Sequence, residues 1–185
     1  MKLTTSKKEI IDLLKAWAAI TIAFGIVLFD REGSNAFLIA AFSVGLGFLL
    51  HELAHKIVAQ YYHLLAEFRS FDGMLVLAIA MSFFGFVFAA PGAVMIRGLS
   101  ISNEKNGRIS LAGPLTNLVL ALVFLGLMPF LGVIAKYGLF INALIALFNM
   151  LPFWNFDGAK ILRWNKLVYF GVVFVAFVLF SFSNL

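Results

Sequence analysis

Long stretches without a single charge constrain this chain more than any other feature. Phe37–Leu50, Met74–Ile96, Leu111–Ala135, Tyr137–Phe156 and Leu167–Leu185 contain no Asp, Glu, Lys or Arg. A helix crosses the ~30 Å hydrocarbon core of a bilayer with about 20 apolar residues, and several of these stretches reach that length. Hydrophobic residues make up 63% of the 185 and charged residues 12%, more apolar surface than a soluble domain of this size buries. The composition therefore implies a multi-pass membrane protein, expected as a single membrane-embedded domain over 1–185 with its core at about 36–161. The chain has no cysteine, which excludes a disulfide framework and a thiolate metal site. The net charge of +5 follows from retention of Lys and Arg on the cytoplasmic side of a membrane, and no nucleic-acid partner is expected.

The charged residues between the stretches set the expected order of spans. Lys2, Lys7, Lys8 and Lys15 precede apolar Ala16–Phe29, as in a secretory signal. Asp30-Arg31-Glu32 offers no small-residue cleavage site, so a retained first span over about Ile10–Phe29 is expected. A turn over Asp30–Asn35 follows, then spans over Ala36–Gln60, Leu111–Val133, Tyr137–Pro152 and Leu167–Phe182. Pro152 stops the fourth of these because it lacks an N–H and restricts its neighbour. If Met74–Ile96 also crossed, the Lys and Arg residues would divide evenly between the two faces. If it dips in and returns, Lys2, Lys7, Lys8, Lys15, Lys56, Arg69, Arg97, Lys105, Arg108, Lys160, Arg163 and Lys166 share one face against Arg31 and Lys136. That bias marks the shared face as cytoplasmic. Gly85, Pro91 and Gly92 suit a segment that turns back. Ala93–Arg97 and Arg108–Leu111, flanking polar Ser102–Gly107, predict a β-hairpin at the cytoplasmic edge. The expected fold is thus an all-α polytopic membrane protein with five transmembrane helices, a re-entrant segment and a short hairpin.

His51-Glu52-Leu53-Ala54-His55 lies within the second expected span. Residues four apart share a helix face, so both imidazoles can reach one zinc ion with Glu52 beside them. Ionisable groups inside a span are costly and mark function. His51 lies about 22 Å along the helix from Ala36 at 1.5 Å per residue, roughly 8 Å short of the cytoplasmic boundary. A catalytic zinc site takes a third protein ligand and leaves one position open. Asp157, beyond the fourth span, reaches a comparable depth on the same face. Taken alone it also suits a cap for a helix beginning near Gly158.

Asn149-x-x-Pro152-x-x-x-x-Asp157-Gly158 resembles the N-x-x-P-x-x-x-x-D-G signature of the site-2 protease family. Ala112-Gly113-Pro114-Leu115-Thr116-Asn117 is similar to that family's A-G-P-x-x-N element, and Pro91-Gly92-Ala93-Val94 to its membrane-edge β element. The resemblance implies an intramembrane zinc metalloprotease, with His51, His55 and Asp157 as metal ligands and Glu52 as general base. It further implies supporting polar roles for Asn117 and Asn149 near the catalytic water or the substrate carbonyl. The implied cofactor is Zn2+, the partner a single-span membrane protein substrate in the lipid bilayer, and the location a cell membrane with the active site nearer the cytoplasmic face.

Two other classes use the same residues. A metal transporter or sensor would employ His51, His55 and Asp157 as a transport site, yet the internal repeats expected of transporters are not found. A catalytically silent relative would have no need of Glu52. Among the remaining residues, His63 reads as interfacial, and Trp17, Trp154 and Trp164 as anchors near helix ends. Gly45 and Gly47 suit close helix approach.

Overall fold

The fold was analysed in a computed structural model, which describes residues 3–87, 90–98 and 100–183. The first helix, α1 (Lys7–Glu32), is longer than the apolar pattern suggests because both ends are capped. The Ser6 hydroxyl accepts the Glu9 N–H at 3.1 Å, and Gly33 closes the other end with φ 56°. Only Gly33 and Ser34 separate α1 from the next rod, Asn35–Tyr61, so the expected six-residue turn is shorter than predicted. This rod comprises α2 (Asn35–Ala40), a π-helical turn (Ala41–Gly45) and α3 (Leu46–Tyr61). A π turn frees carbonyls from the helical ladder. Here the Trp17 indole donates to Ala41 O at 3.2 Å and the Asn142 amide to Ser43 O at 3.4 Å. Trp17 is therefore an interhelical partner, packed on Gly45, and not the interfacial anchor expected from its position.

After α3 come β1 (Leu65–Ser70), α4 (Asp72–Ser82) and β2 (Gly92–Arg97). The strands pair antiparallel from Leu65↔Arg97 to Ser70↔Gly92. Segment 71–91 therefore leaves the sheet and returns to the same end of it, and its helix of 11 residues is about 16 Å long. Residues 88–89, within the expected re-entrant segment, lie outside the described residues.

The predicted hairpin is corrected at this point. Gly92–Arg97 is a strand, but its partner is Leu65–Ser70, and Arg108–Leu111 lies inside α5 (Asn103–Leu131). The physical reason is a helix start hidden in the polar turn. The Ser102 hydroxyl accepts the Lys105 N–H at 3.3 Å, Glu104 occupies the first turn, and Glu104 pairs with Arg108 one turn on at 2.7 Å. These are capping and dipole signals.

α6 (Val133–Asn149), α7 (Asp157–Trp164) and α8 (Lys166–Ser183) complete the chain. The largest core cluster includes Leu118, Ala121, Leu139, Ala143, Ile161 and Val172, joining α5 to α6, α7 and α8. Among the described residues, four helices are long and apolar enough to cross a membrane: α1, the rod Asn35–Tyr61, α5 and α8. α6 is apolar but shorter, at 17 residues.

Candidate metal centre

α3 carries His51 and His55 on one face, and α5 runs against that face. Asp157, the first residue of α7, completes the cluster. The turn after α6 brings it there: a Cβ on Gly158 would lie 2.2 Å from Met150 O, so only glycine lets α7 begin so close to that carbonyl. All three side chains are buried. His51 Nε2 and His55 Nε2 are 3.0 Å apart, and Asp157 Oδ2 is 3.4 Å from the first and 3.0 Å from the second. Three ligands about 2.0–2.1 Å from a tetrahedral zinc stand roughly 3.3 Å from one another, so the triangle fits one such ion.

The other ring nitrogens are fixed from behind. His51 Nδ1 lies 2.6 Å from Asn117 Oδ1, and His55 Nδ1 lies 2.7 Å from Ile109 O. Carbonyl oxygens only accept, so both Nδ1 atoms carry the proton and both Nε2 lone pairs face Asp157. The Asn117 amide cannot turn round, because its Nδ2 donates to Gly47 O at 3.2 Å and to Asn142 Oδ1 at 3.0 Å. Asn142 is fixed in turn, donating to Gly138 O at 2.9 Å.

The space in front of the nitrogens is kept by a missing side chain. A Cβ on Gly113 would lie 2.4 Å from His55 Nε2 and 2.5 Å from His51 Nε2. Asp157 is buried against both histidines. Lys160 Nζ stands 3.7 Å from its second oxygen. Glu52 is buried beside the cluster, and its Oε2 accepts the Val94 N–H of β2 at 3.1 Å.

Of the expected site residues, His51, His55 and Asp157 form a group able to hold a metal ion, and Glu52 borders it. Asn117 contacts His51 directly. Asn149 is half-buried, and its side chain donates to Ile145 O in its own helix at 3.0 Å. The sequence did not single out Asn142. Its signal was a fully polar amide, now 0% exposed, inside the uncharged run Tyr137–Phe156.

No protein-family model and no solved structure matches the chain. A protein of the archaeon Methanocaldococcus jannaschii, named "Putative zinc metalloprotease", is 40% identical over 184 residues, covering 95% of each chain. At that extent and identity, the chain belongs to the same protein family as this archaeal protein.

Proposed function

We propose that this chain is an intramembrane zinc metalloprotease of the site-2 type, hydrolysing a peptide bond of a single-span membrane protein near the cytoplasmic face. The observation that carries the proposal is the convergence of His51 Nε2, His55 Nε2 and Asp157 Oδ2 within 4.8 Å of one another, with the Glu52 carboxylate alongside. Three protein ligands leave one position for water, the pattern of catalytic zinc. The relative's name supports zinc as the metal.

When bound, zinc supplies an acidified water and an electrophile for the scissile carbonyl. Glu52 would serve as the general base, taking a proton from the attacking water and passing it to the leaving amine. Asn117 and Ile109 O hold the two imidazoles with Nε2 toward the metal. β2 supports binding of an extended substrate: its Val94 N–H points away from β1, and alternation places the backbone groups of Ile96 on the same open edge. Phe68, across from Val94, has its own N–H turned to the opposite edge and held by Glu9.

The membrane placement rests on the charge distribution and on the returning path of segment 71–91. With α6 taken as a fifth span, the sheet, α7 and the metal cluster fall on the Lys- and Arg-rich side.

Replacement of Glu52 by Gln is expected to lower cleavage of a single-span substrate by about 10²–10⁴-fold with zinc content unchanged. Asp157→Ala is expected to remove the zinc. Retained cleavage in Glu52→Gln, or metal flux into liposomes without peptidase activity, overturns the proposal.

A further inference from the structure

We propose that Glu9, through its buried pairing with Lys56, is a positioning residue for the metal centre: it fixes the register of the sheet against α3 so that Val94 stands on Glu52. Glu9 is 0% and Lys56 3% exposed, and the chemistry above uses neither. Lys56 Nζ donates to Glu9 Oε2 at 2.7 Å and to Thr5 Oγ1 at 2.8 Å. Glu9 Oε1 accepts the Phe68 N–H at 3.0 Å. Lys56 directly follows His55 on α3, and Phe68 is the cross-strand partner of Val94. One rung of the ladder is thus held at both outer ends, by Glu9 on β1 and by Glu52 on β2.

A rung of this type has no interstrand hydrogen bonds of its own, because both N–H groups point outward. Its place depends on what the outward groups meet. A slip of one residue would turn Phe68, 0% exposed, to the opposite face and carry the Val94 N–H off Glu52. A buried ion pair adds little stability compared with apolar side chains of the same volume, and specifying register is its best-attested use. Gln60 provides a second grip: its Nε2 donates to Ala66 O and to Thr4 O, each at 3.0 Å. Helix α3 and the segment before α1 together close the outer edge of β1 at these positions, leaving the edge of β2 toward the cluster. The effect on catalysis rests on the metalloprotease function proposed above; the effect on register does not.

Two double variants of the full chain separate positioning from bulk stability. E9Q/K56M keeps an acceptor for the Phe68 N–H with no lone buried charge, and E9M/K56M keeps the shape without the acceptor. Hydrogen exchange at the Val94 amide, measured with zinc content, reads the register whether or not any substrate is cleaved. E9M/K56M is expected to exchange at Val94 about tenfold faster with its zinc retained, and E9Q/K56M to match wild type. With a single-span substrate, kcat/KM is expected to fall on the order of 10²-fold in E9M/K56M, mainly through KM, and to recover in E9Q/K56M. Wild-type Val94 exchange in E9M/K56M overturns the proposal, as does a loss of active fraction with KM unchanged. If E9M/K56M fails to fold, Gln60→Met gives the same comparison: faster Val94 exchange is expected, and unchanged exchange overturns the proposal. A wild-type chain that binds zinc and cleaves nothing would count against the protease function alone.

Discussion

At the scale of single residues, the metal cluster depends on an absence as much as on its ligands. Glycine inside a helix usually costs about 1 kcal/mol relative to alanine, so Gly→Ala within α5 would ordinarily stabilise. At Gly113 the added methyl would sit 2.4–2.5 Å from both Nε2 atoms. Gly113→Ala is expected to leave the chain folded and empty of zinc, as measured by metal analysis beside a thermal melt. Asn142 acts one step further back. Asn142→Leu removes the acceptor that orients Asn117, and zinc affinity is expected to fall about 10–100-fold in competition with a chelator. His51 and His55 were legible in the sequence as a pair, because they stand at a spacing that needs only a helix to bring them together. Asp157 was legible through the motif it closes. Asn142 was not, since a lone amide in an apolar run has no local partner, and its partners Asn117, Ser43 and Gly138 come from α5, the π turn and its own helix.

At the scale of elements, the long helices were written plainly in the uncharged runs, and the structure mostly lengthened them through caps. The sheet was only half legible. β2 carried its signal in Gly92–Arg97, whereas β1 has a brief alternation, with Ala66 and Phe68 buried between the polar Glu67 and Arg69, set directly after a helix and easily taken for a loop. Its pairing spans the whole of segment 71–91, beyond the reach of any local pattern. Polar Ser102–Gly107 held turn residues and a helix cap at once, and the cap decided the outcome. Ser102→Ala is accordingly expected to cost about 1 kcal/mol, seen as a lowered midpoint in denaturation. Gly92 is a close approach within the sheet: a Cβ there would lie 2.4 Å from the Phe68 ring and 2.5 Å from Arg69 O. Gly92→Ala is expected to part the strands and release the Val94 amide to exchange.

At the scale of the whole molecule, the proposed metal would join distant parts of the chain: His51 and His55 come from α3 and Asp157 from α7. Zinc that binds only the folded chain should raise its stability with concentration, by about 4 kcal/mol at a thousandfold excess over Kd. Stripping zinc with a chelator is expected to lower the melting temperature of wild type and to leave Asp157→Ala unmoved. Single cysteines at Lys8, Arg97 and Lys160 are expected to react with an impermeant reagent from one side of the membrane, and one at Lys136 from the other; labelling of Lys8 and Arg97 from opposite sides would break the five-span layout. The π turn at Ala41–Gly45 has a consequence of its own. Such a turn holds one residue more than an α-helical path requires, so it offsets the angular phase of everything after it by about 100°. Remove one residue between 41 and 45, and α3 would rotate like a key turned by more than a quarter, swinging both imidazoles away from Asp157 while every helix stayed intact.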